Sequence, residues 1–302
     1  MSITFLSGRR IVRKIVFGRQ LNQRKDDAMA LFTFSEEKCI KCGACVSECP
    51  IRIVAMESED SPPTPFEPLV EFCISCGHCV AVCPTGALAL ADLAPEDCDP
   101  VLKELEVSPE QARQMLGGRR SIRTFQKEPL SRSRIEDLIQ VASEAASAKN
   151  VQPWRFLVIE ERAKVKELAG LVVDWMKDLL RRFPNDPNVA PFNRATAAWD
   201  AGYDIITRGA PHLILLHADK AWPFAWQDCT LALAHLDLYA NSLGLGACWA
   251  GYFQSCANQY PPLQQALALP EGQACFGAMM LGKPKFKYFR LPQRKPPQTK
   301  WM

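Results

Sequence analysis

The apolar residues fall into two patterns that divide the chain. From about residue 108 they recur at helix or strand spacing over long stretches, whereas before it they come in short runs broken by cysteine and proline. Within 161–183, Val165, Leu168, Val172, Met176 and Leu179 follow steps of three and four, which predicts a long amphipathic helix. Ile135, Leu138, Ile139 and Ala142 predict a second helix by similar spacing, and residues 227–242 read as a third. Ser108-Pro109-Glu110 is a helix start, a capping serine followed by proline at the first helical position, and Gly117-Gly118 ends that helix. WRFLVIE at 154–160, HLILLHA at 212–218 and CFGAMML at 275–281 read as strands, HLILLHA as a buried one. Helices and strands mixed in this way predict an α+β domain. In the earlier stretch IRIVAM (51–56) and PLVEF (68–72) read as short strands, and PNDPNVAPFNRATAAWD (184–200) reads as a loop.

Composition sharpens the division. A chain of 302 residues with 48% apolar content has length for about two domains and core enough not to depend on disulfides, despite its 13 cysteines. The opening residues break every apolar run with Arg or Lys, so no secretory signal is read. No stretch reaches the ~18 uninterrupted apolar residues of a membrane helix. The expected compartment is a reducing cytoplasm, where clustered cysteines bind metal or do redox chemistry. Charge is segregated: +5 over residues 1–28, −9 over 29–100 and +7 over 101–302, together the +3 of the whole chain. This suggests two modules with different partners, and the basic residues form no aromatic-interleaved stripe for nucleic acid. The Pro- and acid-rich DLAPEDCDP at 92–100 marks a linker. The expected divisions are a basic leader at 1–32, a cysteine domain at 33–92, a linker at 93–107 and the α+β domain at 108–302. Gly8 and Gly18 weaken any membrane-surface helix in the leader, and Met29 opens MALFTFSEEKC, so a leader without structure or an over-extended start is expected.

The cysteines carry the strongest chemistry. Cys39, Cys42, Cys45 and Cys49, then Cys73, Cys76, Cys79 and Cys83, both spell C-x2-C-x2-C-x3-C-P. Two-residue spacings wrap a loop around one iron–sulfur cubane, and the fourth cysteine ligates the other cluster in two-cluster ferredoxins. The reading is therefore one 4Fe–4S cluster on Cys39, Cys42, Cys45 and Cys83, and a second on Cys73, Cys76, Cys79 and Cys49. Zinc, the competing reading, favours two separated C-x2-C pairs. Gly43 and Gly77 sit where the backbone must approach a cluster or take positive φ. The segment 33–92 resembles bacterial-type ferredoxins. Cys98, Cys229, Cys248, Cys256 and Cys275 have no cluster spacing and read as structural. His78, inside a cluster loop, would tune its electrostatics, and His212, His217 and His235 have no partner at useful spacing for catalysis.

In the remaining chain Arg119, Arg120, Ser121 and Arg123 make a compact anion site after a glycine turn, suited to phosphate oxygens. GLGACW at 244–249 lacks the third glycine of a dinucleotide fingerprint and follows a helix. The RRSIR motif, SAKNVQPWRF at 147–156, ACWAGYF at 247–253 and LGKPKFKYFRLPQRKP at 281–296, in this order, resemble the FMN-dependent nitroreductase family over roughly 112–302. The fused arrangement is similar to its ferredoxin-nitroreductase subgroup. The resemblance implies a nitroreductase fold forming an intertwined homodimer, with FMN on Arg119, Arg120, Ser121 and Arg123, and Arg294 returning to its phosphate. Ser147, Asn150 and Gln152 would come from the other subunit, the backbone at Ala250 and Gly251 would lie near flavin N5, and the 184–200 loop would cover the flavin. Arg123 is the candidate cation at the flavin N1–O2 edge. Ala146 departs from the family's frequent proline.

No protein nucleophile or base is needed, since the flavin carries the chemistry. The implied enzyme is an FMN-dependent oxidoreductase. Reduced ferredoxin or a similar donor would fill two one-electron clusters, then FMN, then an electrophilic small molecule: a nitro compound, quinone or activated alkene. Two alternatives stand beside it. In one the flavin takes electrons from NAD(P)H, which this family binds without a Rossmann motif, and the clusters are the exit. In the other the chain is an electron-transfer protein serving a protein partner, or a sensor.

Overall fold

The computed structural model describes residues 31–302; the expectations for the leader and for a start at Met29 concern residues outside that range. The chain divides into two compact units at Asp99–Pro100.

The first unit is a repeat. Strand β1 (Phe32–Phe34), helix α1 (Ala44–Glu48) and strand β2 (Val54–Ala55) are followed by strand β3 (Thr64–Pro65), helix α2 (His78–Ala81) and strand β4 (Leu88–Leu90). β1 pairs antiparallel with β4, Phe32 opposite Leu90, and β2 with β3, Val54 opposite Pro65. The first strand of each half thus pairs with the last strand of the other, which ties the two cysteine runs together. Phe32, Ile53, Val54, Val80, Leu88 and Leu90 fill the small core between them. PLVEF is not a strand. Glu67–Phe72 is a 3-10 helix with Pro68 in its first turn, and the pairing strand lies upstream at Thr64–Pro65. Pro68 has no N–H to give a ladder, and its fixed φ suits a helical start.

The second unit is built on one antiparallel sheet. Its elements are α3 (Pro109–Gly118), α4 (Arg132–Ala142), β5 (Arg155–Ile159), α5 (Arg162–Arg182), α6 (Phe192–Asp200), β6 (His212–Asp219), α7 (Ala225–Ser242), β7 (Gly246–Trp249), α8 (Gly251–Ala257), α9 (Pro261–Leu267) and β8 (Gln273–Gly282). The strand order is β5-β6-β8-β7. β6 is buried from His212 to Ala218, with Leu213–Leu216 an unbroken apolar run, because both its faces are covered. Leu213 and Leu215 join a core with Val165, Leu168, Val172 and Met176 of α5, while Ile214, Leu216 and Ala218 join a second core with Leu138 of α4 and Leu233 and Leu236 of α7. A bulge at Leu216/His217 skips one residue of β8 and moves Cys275 to the α5 side with Ala278 and Met280.

Three expectations hold in detail: Ser108 caps α3 through Gln111, β6 is the buried strand, and α5 buries the face read from its spacing. Two elements of this unit, α6 and β7, add to those expected. Half of the 184–200 stretch is helix α6, begun by Pro191 as its N-cap, so the prolines before it mark a helix start within the expected loop. The GLGACW segment contains the edge strand β7 and connects a helix to a strand, the reverse of a dinucleotide turn. Gly246 is glycine because a Cβ there would stand 2.5 Å from Ile122.

Candidate functional site: two cysteine cavities and an arginine-lined sheet end

The two cysteine loops have the same backbone, 34 positions apart. Lys41 and Ser75 take φ +56° and +47°, Gly43 and Gly77 take +70° and +75° as the N-caps of α1 and α2, and Arg52 and Gly86 take +59° and +60°. These left-handed residues coil each loop so that its thiols face inward. The side chains then regroup across the repeat. Cys39, Cys42, Cys45 and Cys83 line one cavity, and Cys49, Cys73, Cys76 and Cys79 line the other. The fourth cysteine of each run therefore faces the first three of its neighbour.

Electrostatics reflects the same grouping. Burial pushes the Cys45 thiol up, with Cys83 and Cys42 as its charged neighbours. Cys79 is pushed up to about 11 by burial and by Cys76, Cys49 and Cys73. Cys83 differs: burial would raise it, yet bonds from the Ala87 and Thr85 backbone and the Thr85 hydroxyl hold it below the ordinary thiol value. The Ala87 N–H donates to Cys83 Sγ at 3.2 Å, and the Ile53 N–H to Cys49 Sγ at 3.3 Å, the same bond in each half. Burial makes Cys45 and Cys79 costly to ionise, a cost that a cationic inorganic core would offset by deprotonating its ligands outright. All thirteen cysteines are free of disulfides. Among the described residues no three His, Cys, Asp or Glu side chains are gathered to hold a single ion. A cubane, itself several ångströms across, asks for ligands on a cavity wall instead of around a point.

In the second unit the run 119–125 closes the end of the sheet where β7 begins and β8 stops. Ile122 N–H donates to Ala247 O at 2.9 Å, and Gln126 N–H to Lys283 O at 2.8 Å. Arg119 pairs with the buried Asp237 of α7 at 3.1 Å, and Arg120 donates to Gly117 O at 2.9 Å and Arg119 O at 2.7 Å. Burial pushes the Cys248 thiol up against the lowering fields of Arg123 and Arg208, and its Sγ lies 3.7 Å from Trp249 O. Arg123 is exposed, as is Arg294 in the C-terminal stretch. Leu291 of that stretch lies over Gly117–Gly118, 3.7 Å from where a Gly117 Cβ would stand, so the chain returns to the start of the arginine motif. Ala250 is buried, its N–H on Ala278 O at 2.8 Å, while open space surrounds Gly251.

The Ser147–Gln152 loop is held in three left-handed non-glycine turns, Lys149, Asn150 and Gln152. Its anchor, missed in the sequence, is Asp228. This carboxylate is 2% exposed and accepts from the Ala148 N–H at 2.9 Å and the Trp222 indole N–H at 2.7 Å. Asp228 and Asp237 were visible as acids inside an apolar helix, a pattern that needs buried partners. Asp228→Ala leaves two donors unsatisfied, with an expected loss of about 2–4 kcal/mol. Thermal unfolding and tryptic cleavage at Lys149 check it; unchanged protection of Lys149 would remove the anchoring role.

His212 is structural: Nε2 accepts from the Leu130 N–H at 2.8 Å and Nδ1 meets Glu160 O at 2.8 Å, which uses both ring nitrogens. His217 is satisfied by Gln273.

A model of the nitroreductase family matches residues 116–283, more than half of the chain. The chain belongs to the nitroreductase family. Ahead of its nitroreductase domain a 4Fe-4S dicluster domain model matches residues 38–88, so this is a nitroreductase-type oxidoreductase with an N-terminal ferredoxin-like domain. The nitroreductase domain is similar to an Archaeoglobus fulgidus protein provisionally named NADH dehydrogenase/NAD(P)H nitroreductase, 29% identical over 58% of this chain and 87% of that one. A 4-nitrobenzoate reductase of Pseudomonas putida is 27% identical over 44% of this chain and 69% of its own length. In fold it resembles the Bacteroides fragilis nitroreductase crystallised with FMN, with TM-score 0.52 and 18% identity over 63% of this chain and 97% of that one. No helix among the described residues of this nitroreductase is long and apolar enough to cross a membrane.

Proposed function

We propose that the chain is an iron–sulfur flavoprotein that passes electrons between a low-potential donor, two 4Fe–4S clusters and FMN, and reduces an electrophilic small molecule. The observation that carries this is the regrouping of eight thiols into two sets of four across the repeat, in one chain with a nitroreductase domain. Cys39, Cys42, Cys45 and Cys83 would hold one cluster, and Cys73, Cys76, Cys79 and Cys49 the other. Arg119, Arg120, Ser121 and Arg123 would bind FMN with Arg294, Ala250 and Gly251, and Ser147, Asn150 and Gln152 would reach the flavin of a partner subunit in a homodimer. The open space at Gly251 and the exposed Arg123 fit such a ligand. Bound, these groups supply storage for two single electrons and a carrier for the pair.

The chain's own residues do the rest. The N–H···S bonds to Cys49 and Cys83 ease negative charge on those sulfurs. Arg119, fixed by Asp237, holds a guanidinium beside the motif before any ligand arrives, so less order is lost on binding. Residues 33–92 would form the cluster domain, 93–107 the linker and 108–302 the flavin domain, in the cytoplasm. Reduced ferredoxin is the donor of this reading, with a nitro compound, quinone or activated alkene as acceptor.

The provisional NADH dehydrogenase/NAD(P)H nitroreductase name of a relative supports a second reading, in which NAD(P)H reduces the flavin and the clusters are the exit. Anaerobic stopped-flow mixing separates the two. Flavin bleaching by reduced ferredoxin alone is expected; fast bleaching by NADH or NADPH would reverse the direction of flow.

A further inference from the structure

Residues 34 positions apart are counterparts in the two halves of the cysteine unit, and the halves treat their sulfurs unequally. The backbone bond is common to both: the Ile53 N–H donates to Cys49 Sγ at 3.3 Å and the Ala87 N–H to Cys83 Sγ at 3.2 Å. A side-chain donor stands on one side only. The Thr85 hydroxyl lies 3.7 Å from Cys83 Sγ, within reach of a hydrogen bond to sulfur. Its counterpart in the first half is Ile51, which has nothing to donate.

Charge and solvent divide the same way. Lys41 and Thr85 line the cavity that Cys83 completes, whereas Ile51, Ile53 and Ile74 line the one that Cys49 completes, with His78 as its polar side chain. The counterpart of Lys41 is Ser75, so the lysine belongs to the first cavity alone. Cys42 is exposed where its counterpart Cys76 is half-buried, and Cys79 is buried where its counterpart Cys45 is half-buried. Reduction adds a negative charge to a cluster. A hydrogen bond to its sulfur, a nearby cation and access to water all favour that added charge.

We propose that Thr85 sets a step between the two clusters, holding the one completed by Cys83 at the higher potential, with Lys41 and solvent acting in the same direction. This rests on the cluster reading above. The first electron to arrive comes to rest on the Cys83 side. Only the second occupies the Cys49 side, where it is the stronger reductant. The cysteine unit is then a graded store, and its full reducing power is present only when both electrons are aboard.

The deciding variant is Thr85→Val, which keeps the shape of the side chain and removes the hydroxyl. Redox titration of the anaerobically purified protein is followed by electron paramagnetic resonance at pH 8, which keeps histidine charge out of the comparison. Wild type is expected to show two one-electron waves, the upper one absent from Cys42→Ser. Thr85→Val should hold the wild-type iron and bind the electron of the upper wave about fivefold more weakly, one hydrogen bond's worth. For a one-electron couple that lowers the potential by about 40 mV. The lower wave stays in place, and Thr85→Ser keeps both. Ile51→Thr, which offers a hydroxyl to Cys49, raises the lower wave by a similar step. An upper wave unmoved in Thr85→Val, or one that belongs to the cluster lost in Cys76→Ser, would overturn the proposal. Should Thr85→Val lose iron, an unmoved lower wave in Ile51→Thr would overturn it. Wild-type protein that binds no iron would instead defeat the cluster reading, and this one with it.

Discussion

Cys49→Ser is expected to abolish the iron–sulfur centre of the second cysteine run and to spare that of the run in which Cys49 itself lies. Cys49 lines the cavity of Cys73, Cys76 and Cys79, not that of Cys39, Cys42 and Cys45. Losing one of four thiolates opens a cubane to hydrolysis, so the anaerobically purified variant should carry about half the wild-type iron. Its electron paramagnetic resonance spectrum when reduced should match that of Cys76→Ser and differ from that of Cys42→Ser. FMN should remain at the wild-type ratio, and turnover driven by reduced ferredoxin should be lost. A spectrum matching Cys42→Ser would mean that each run keeps its own cluster, against the exchange; loss of FMN would mean that the modules are not separable.

Arg119→Ala is expected to cost about 2–3 kcal/mol near neutral pH and much less in acid. Asp237 is 7% exposed, and Arg119 is its ion-pair partner at 3.1 Å. Removing one side of a buried pair leaves the other charge unsolvated. Burial raises the Asp237 carboxyl above its ordinary value, and Arg119 opposes that rise. A raised carboxyl means that the folded state binds more protons than the unfolded one, so stability falls as pH climbs from the ordinary carboxylate value through the raised one. Without Arg119 the raised value moves higher and the penalty grows up to it. Denaturant melts at pH 4.5 and 7.5 should therefore diverge from wild type mainly at the higher pH, and Arg119→Ala/Asp237→Asn should recover most of the loss. A pH-independent loss would exclude the buried carboxylate as the cause.

Much of the fold was legible because burial writes a period into the sequence. α5 shows its buried face in Val165, Leu168, Val172 and Met176, and β6 shows its two covered faces in the unbroken apolar run Leu213–Leu216. PLVEF misled because a proline-led 3-10 turn has the same apolar content as a strand, and β7 escaped because four residues carry no period. The spacing of the two runs already groups the cysteines as they line the two cavities. The supports were harder to see. Asp228 and Asp237 act on residues 80 and 118 positions away. Such roles depend on three-dimensional neighbours and leave no local mark.

The pairing of β1 with β4 has an architectural consequence. Phe32 lies opposite Leu90, so the polypeptide comes into the cysteine module and departs from it side by side. A unit whose ends meet can be spliced into a host loop, circularly permuted or transplanted as a cassette without stretching either partner. The ladder also acts as a clasp: tension applied across the two ends would unzip it first, from the Phe32–Leu90 pair inward, before any force reached the loops that carry the thiols.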